Sequence, residues 1–260
     1  MTDFGLRDHY VGVMKAVMES VCPGIRIIDI THDIESQNIT AAAYLLWASY
    51  RAFPPGAVIV TVVDPGVGGK RGIIGVKTKK HTFLAPNNGL LDLVLWEEKV
   101  AEATTIRFEK AATRALLPRR ISSTFHGRDI FAPLAGHLAQ GTVLDSLGTK
   151  TCVNWVEAPF VDKESSKAKA NVLHVDKFGN VITNIRSDVP GVRSRLLTLR
   201  KGNRHMRTWA ENYESIPSGK ASMIVGSSGL VEIVMNRRSA ALSLELKQGD
   251  ALRMMYKGQS

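Results

Sequence analysis

Pro54-Pro55-Gly56-Ala57-Val58-Ile59-Val60-Thr61-Val62-Val63-Asp64-Pro65-Gly66 is the stretch on which the fold turns. The run from Ala57 to Val63 carries no charge and is almost entirely β-branched, the composition of a strand covered on both faces. Pro54-Pro55-Gly56 introduces it and Asp64-Pro65-Gly66 breaks it, so it reads as a buried central strand with a loop at its carboxyl end. Upstream, Gly24 to Ile30 alternates apolar and polar residues like a strand, and Ile39 to Phe53 has the spacing of an amphipathic helix. Downstream, Ile73–Val76 and Thr82–Leu84 read as short strands, Leu90–Glu98 and Ile130–Ala139 as helices. Strands alternating with helices predict an α/β N-terminal domain over residues 1–160 with a central, mostly parallel sheet.

The pattern changes after Val161. Residues 161–170, Val-Asp-Lys-Glu-Ser-Ser-Lys-Ala-Lys-Ala, are polar and charged and are the expected linker. Beyond them Val172–Val175, Val181–Ile185, Leu196–Leu199, Leu230–Val234, Leu242–Leu246 and Leu252–Tyr256 are short β-runs separated by turns. They predict a C-terminal all-β barrel domain over 171–260.

The chain has 260 residues, 44% hydrophobic and 22% charged, which excludes disordered and fibrous classes. The longest apolar run, around Ala41–Ala48, is far short of the ~18 to 20 residues of a membrane span, so no membrane partner is expected. The start, Met1-Thr2-Asp3-Phe4-Gly5, has neither the basic residues nor the apolar stretch of a secretion signal. Two cysteines, Cys22 and Cys152, are too few for a disulfide framework, and the expected location is the cytoplasm. Of the net charge of +10, residues 161–260 hold 17 Lys and Arg against 9 Asp and Glu. These cations are scattered with little aromatic interleaving, which favours a solvated basic face over a nucleic-acid footprint.

Four polar clusters fall where strands or helices should end, the place where an open α/β sheet presents its ligand. The turn Thr2-Asp3-Phe4-Gly5 carries a carboxylate able to accept ribose hydroxyls or to cap a helix. The loop Asp64-Pro65-Gly66-Val67-Gly68-Gly69-Lys70-Arg71 lacks both nucleotide-loop fingerprints, yet it sets a carboxylate and a guanidinium seven residues apart, able to fold back and meet. Ala85-Pro86-Asn87-Asn88-Gly89 supplies a turn and a helix cap. Ser123-Thr124-Phe125-His126-Gly127-Arg128-Asp129-Ile130-Phe131-Ala132-Pro133 holds a histidine that becomes a titratable centre if acidic and basic partners meet it. No group of His, Cys and carboxylates has metal-ligand spacing.

These clusters, with Asp176-Lys177-Phe178-Gly179-Asn180, Thr183-Asn184 and Gly226-Ser227-Ser228-Gly229, resemble the signature set of the S-adenosyl-L-methionine hydrolases. That family is also called the SAM hydroxide adenosyltransferases and is related to the fluorinases and chlorinases. The resemblance runs in order from residue 2 to about residue 241. It implies an α/β domain followed by a β-barrel domain, and a homotrimer with active sites at the subunit interfaces. The implied reaction is S-adenosyl-L-methionine plus water giving adenosine and L-methionine, with no cofactor and no metal. It places Asp64, Arg71 and His126 as the set that holds and activates water, and Asp3 on the ribose hydroxyls. Phe178 and Asn180 fall on the adenine pocket, Asp176 on the methionine ammonium, and Ser227 and Ser228 on the loop near adenine and the methionine carboxylate. His126-Gly127 stands where the halogenating branch has Tyr-Ser or similar, and that branch lacks the acid of Asp64, so halide chemistry is disfavoured. Gln37 stands where the fluorinase has a tryptophan over the ribose. Two other readings remain: a nucleoside or nucleic-acid binding module that has lost turnover, and an interaction protein whose trimer is its function.

Overall fold

The computed structural model describes residues 1–100, 102–153, 159–163 and 169–256. The chain divides into two compact units, Met1–Asn154 and Trp155–Ser260. Of the expected linker 161–170, residues 164–168 lie outside the described residues; Val161 is fully buried and bridges Ile185, and Ala170 opens a strand.

The first unit carries helices α1 (Tyr10–Val21) and α2 (Ile39–Ser49), then strands β1 (Val58–Val60), β2 (Ile73–Lys77) and β3 (Thr82–Pro86). Helix α3 (Asp92–Glu98), β4 (Glu102–Ile106), α4 (Ala111–Ala115), α5 (Ala132–Ala139) and β5 (Gly148–Cys152) follow. The sheet has five strands in the order β1-β3-β2-β4-β5. Only β1 and β3 run parallel; β3/β2, β2/β4 and β4/β5 are antiparallel, so the expected mostly parallel sheet is corrected to a mixed one. The cause is the tight turn after β2, closed by Thr78 N–H donating to the His81 carbonyl at 2.9 Å, which leaves no room for a crossover helix and forces a hairpin.

The β-branched run is buried as predicted, but the expectation of a central strand is corrected: β1 stands first in the sheet order, with β3 on one side and only a single bridge from Thr2 on the other. Ile59, Val62 and Val63 are buried, and Thr2 pairs in parallel with Val62 just past β1. The core around it joins Met14 of α1, Val62, Ile73, Leu84, Ile106, Phe125, Ile130, Phe131 and Leu134. Helices α1 and α5 approach closely because Gly136 has no side chain; a Cβ there would lie 2.8 Å from Cβ of Val21.

Gly24–Ile30, read as a strand, starts in a turn at Gly24, whose φ is +79°, and joins no ladder in the structure. A cavity of about 480 Å³ lined by Ile25, Ile27, Val58, Val60, Met14 and Met18 lies between this segment and β1. The strand pattern therefore exists without the paired edge that would realise it.

The second unit has strands β6 (Ala170–Val175), β7 (Val181–Arg186), β8 (Leu197–Lys201), β9 (Arg204–Met206), β10 (Ala221–Val225) and β11 (Leu230–Met235), helix α6 (Ala240–Leu244) and β12 (Ala251–Tyr256). They form one sheet in the order β10-β11-β7-β6-β12-β8-β9, every neighbouring pair antiparallel. Just beyond β9, Met223 N–H donates to the Thr208 carbonyl and Ala210 N–H to the Met223 carbonyl, at 2.7 and 3.0 Å. These bonds bring the two edges together into a nearly closed barrel. Its interior is filled by Val172, Val181, Ile185, Leu197, Leu199, Met223, Val231 and Ile233. Leu242–Leu246, expected as a strand, lies at helix α6, whose first turn is capped by Ser239 Oγ accepting from Leu242 N–H at 3.0 Å.

Among the described residues no helix is long and apolar enough to cross a membrane. Several cations of the basic half are already in ion pairs: Arg195 with Glu211, Lys201 with Asp250, and Arg204 with Glu245.

Candidate active site

In the first unit the four polar clusters meet. The 64–71 loop leaves the buried run that contains β1 and folds back on itself, so that Arg71 grips Asp64 through Nε, at 2.8 and 2.9 Å from the two carboxylate oxygens, and through Nη2. Gly66 and Gly68 make the fold-back possible. A Cβ on Gly66 would sit 3.1 Å from Arg71 Cγ, and one on Gly68, whose φ is +75°, would lie 2.2 Å from the Ser123 carbonyl oxygen. Ser123 belongs to the fourth cluster, so Gly68 is the contact that docks the loop against it. The Asn88 side chain donates to the Val63 carbonyl at 2.9 Å, fixing the third cluster to the end of the β-branched run. Phe4 stacks edge-on to Phe125, with ring centroids 6.2 Å apart, which brings the first cluster against the fourth.

His126 stands at the start of a π-helical turn, Gly127–Phe131, that leads into α5. Its Nδ1 lies 2.8 Å from Arg71 Nη2. A guanidinium has no acceptor, so Arg71 donates and His126 Nδ1 accepts; the ring proton is then on Nε2. Burial, and then the Arg71 charge, hold the His126 pKa below its ordinary value, while Asp64 and Asp129 act the other way. His126 is therefore a neutral imidazole at pH 7 with Nε2–H as a donor. The side chains of Arg71 and Asp64 are 11% and 4% exposed, so the ion pair is screened far less than a surface pair.

The residues beside His126 in sequence do a different job. Asp129 accepts from Ser122 N–H at 2.8 Å and from Arg128 Nε at 2.6 Å, tying down the 122–129 loop. The acidic and basic partners of the histidine come from the 64–71 loop. Asp3 is half-buried, and its Oδ2 accepts from the backbone N–H of Gln37, itself at φ +66°, at 2.8 Å. Among the described residues its other oxygen has no hydrogen-bond partner.

The second unit gathers the remaining sequence-predicted residues on two turns. Asp176, Phe178 and Asn180 lie in the hairpin between β6 and β7. Asp176 Oδ1 accepts from the N–H groups of Phe178 and Asn180, at 2.9 and 2.8 Å, and Oδ2 from the Asn180 side-chain amide at 2.8 Å. Gly179, at φ +82°, is obligatory there, because a Cβ would lie 2.7 Å from Cα of Ser239. The hairpin thereby holds Phe178 out, 70% exposed. Ser227 and Ser228 occupy the β10–β11 turn, closed by Gly226 N–H to the Leu230 carbonyl at 2.9 Å, and Ser228 Oγ is a buried hydroxyl without a partner. Glu232, an acid inside the apolar run Leu230–Met235, is 8% exposed beside this turn. Sequence reasoning passed over it; the signal was that acid in an otherwise apolar strand. Among the described residues no three His, Cys, Asp or Glu are arranged to hold a metal ion.

Profiles for the N-terminal and C-terminal domains of SAM hydroxide adenosyltransferases match residues 1–148 and 170–253. The chain belongs to the SAM hydroxide adenosyltransferase family. Among its relatives in this family, the (R)-S-adenosyl-L-methionine hydrolase of Thermus thermophilus is 36% identical over 262 residues, 98% of each chain. The fluorinase of Actinopolyspora mzabensis is more distant, 28% identical over 72% of this chain and 71% of its own. The crystal structure of an uncharacterized conserved protein from Thermotoga maritima superposes with a TM-score of 0.86 at 37% identity, covering 98% of each chain. The matched adenosyltransferase profiles contain all the site residues described above, the Asp64–Arg71–His126 cluster in the first and the two turns in the second.

Proposed function

We propose that this chain hydrolyses S-adenosyl-L-methionine to adenosine and L-methionine, and that Asp64, Arg71 and His126 activate the water. The observation that carries the reading is the single guanidinium that joins a buried carboxylate to a neutral imidazole. The sulfonium of the substrate leaves as a neutral thioether, so the leaving group needs no acid. What the reaction lacks in plain water is a nucleophile held in line behind C5′ of the ribose. The water oxygen forms its bond to C5′ while the C5′–S bond breaks and its electron pair returns to sulfur. The water proton goes to Asp64, whose oxygens keep lone pairs beyond those used by Arg71, and from there to solvent. His126 donates through Nε2–H to the same water and fixes its orientation. The positive sulfonium becomes a neutral thioether and the carboxylate that takes the water proton becomes a neutral acid in the same step, so a dry, preorganised pocket lowers the barrier.

In this reading Asp3 takes the ribose hydroxyls, Phe178 and Asn180 hold adenine, Asp176 contributes negative charge near the methionine ammonium, and Ser227 and Ser228 bind near adenine and the methionine carboxylate. Exposed Phe178 is a ready stacking platform for a purine. The protein works as a homotrimer with its sites at subunit interfaces, in the cytoplasm. The related halogenating reaction is disfavoured because Asp64 and His126 provide an acceptor and a donor for water where a halide needs donors alone.

Incubation with S-adenosyl-L-methionine in ¹⁸O-labelled water tests the chemistry. Label in the 5′-oxygen of adenosine is expected. Unlabelled adenosine, or none, overturns the reading, and high chloride or fluoride is expected to yield no 5′-halogenated nucleoside.

A further inference from the structure

Glu232 lies on β11, on the strand face away from the barrel interior: its neighbours Val231 and Ile233 are in the core, and across the ladder it faces Ile224 of β10 and Ile182 of β7. Its carboxylate reaches back over the 226–229 turn. A Cβ on Gly226 would lie 1.7 Å from Glu232 Oε1, so the glycine is what admits the acid to this place. Among the described residues the carboxylate has no hydrogen-bond or ion-pair partner, although the residue is only 8% exposed. Burial first, and the charge of Asp176 second, raise its pKa. The Tyr213 phenol is pushed the same way by burial, Glu232 and Asp176. The Asn180 side-chain amide joins two of these acidic groups, donating to Asp176 Oδ2 at 2.8 Å and to the Tyr213 hydroxyl at 3.4 Å, and Glu232 pairs with Ile182 two residues along the chain from Asn180; Lys177 sits over the Phe178 ring at 5.4 Å.

A buried carboxylate without a partner is costly, and a fold keeps one where a cationic ligand compensates it. The two acids differ in what they still have to offer. Asp176 already accepts three protein N–H groups and organises its hairpin, whereas Glu232 accepts none. We propose that Glu232 is the group that directly receives the α-ammonium of the substrate's amino-acid moiety, Asp176 serving as the charge that keeps the pocket anionic. This rests on reading the two turns as part of the S-adenosyl-L-methionine site. Charge complementarity selects the ammonium over the neutral adenine amine, because only a cation relieves the mutual repulsion of the two acids.

The test compares wild-type protein and Glu232→Gln by calorimetric binding of L-methionine, of adenosine, and of 4-(methylthio)butyrate, which is methionine without its amine, alongside steady-state adenosine release. Glu232→Gln is expected to weaken L-methionine binding and raise KM by about ten- to a hundredfold, the range for a hydrogen bond to a charged group. Adenosine affinity, kcat and binding of the amine-free analogue are expected to stay within about twofold. An equal loss for adenosine or for the amine-free analogue overturns the proposal, as does unchanged methionine affinity. If the variant fails to fold, the wild type alone decides: equal affinity for methionine and its amine-free analogue, or no binding of methionine, overturns it. Failure of the wild type to release adenosine would sink the hydrolase reading instead, while the binding measurements still judge Glu232.

Discussion

Arg71 Nη2 donates to His126 Nδ1 at 2.8 Å, and that one bond settles which ring nitrogen carries the proton. Because the guanidinium cannot accept, the imidazole beside it is held as the Nε2–H tautomer, and its neutral form is favoured twice, by burial and by an adjacent cation. In the proposed mechanism the histidine is then the donor that orients water, and the Asp64 carboxylate, held by the same guanidinium nitrogen, is the proton acceptor.

The titration of His126 follows from this arrangement. Its pKa in the folded state lies below the ordinary 6.5, so the unfolded chain binds the extra proton first as pH falls. The histidine's contribution to stability is complete above about 6.5 and is lost as pH drops from there through the lowered folded value. The acid limb of the kcat/KM profile is expected below the ordinary histidine range for the same reason. Nitrogen-15 shifts of the His126 ring should show Nε2–H with Nδ1 bare at pH 7. A ring protonated on both nitrogens at that pH would refute the assignment of His126 as a neutral donor.

Asp64→Asn removes the proton acceptor while keeping shape. The expected loss is about 10²- to 10⁴-fold in kcat, the range for losing general-base help, with KM changed only a few-fold. It also strips Arg71 of its partner in a site where both side chains are nearly buried. Breaking such a pair costs about 3 to 5 kcal/mol, so the urea midpoint should fall together with activity. A variant that keeps full turnover would show that another group takes the proton.

Gly68→Ala probes the docking of the catalytic loop. The added methyl meets a backbone carbonyl at 2.2 Å, and φ is +75°, so neither a side-chain rotation nor a small backbone shift relieves the clash. The cost is expected at about 1 to 3 kcal/mol, with kcat reduced because Asp64 and Arg71 move relative to His126. Gly5→Ala is the control: it too has positive φ, +67°, but nothing lies within 4 Å of the new Cβ. A milder stability loss is expected there than at Gly68, and equal losses would mean that backbone strain alone accounts for both.

How far such a site can be read from sequence depends on the span of its contacts. The Asp64–Arg71 meeting was legible because the six residues between them, three of them glycines, let the loop fold back locally. The partner of His126 was not legible from spacing, since Arg128 is two residues away and Arg71 is 55, and only tertiary packing chooses between them; the family resemblance alone grouped Arg71 with His126. The same limit applies to the sheet. The run Ala57–Val63 announces a buried strand by composition, yet the direction of its neighbours depends on the turn at residues 78–81. Ile25–Ile30 has the alternation of a strand and no ladder, because alternation records which face is apolar and says nothing of an available edge. Leu242–Leu246 is too short for its periodicity to separate strand from helix, and the Ser239 cap decides for helix.

Phe178→Ala separates binding from folding in the second unit. The ring is 70% exposed on a hairpin that Asp176 and Gly179 hold in place without it, so removing it should change stability by no more than about 0.5 kcal/mol. If the ring is the platform on which adenine stacks, its loss removes about 1 to 3 kcal/mol of binding, a rise of roughly 5- to 150-fold in KM for S-adenosyl-L-methionine and in the dissociation constant of adenosine. The affinity for L-methionine should be untouched, the reverse of the pattern expected at Glu232. Titration of the variant with both products is the deciding measurement: equal weakening of adenosine and methionine would mean that Phe178 acts by shaping the hairpin and not by stacking, because a purely stacking residue has no contact with the amino-acid end of the substrate.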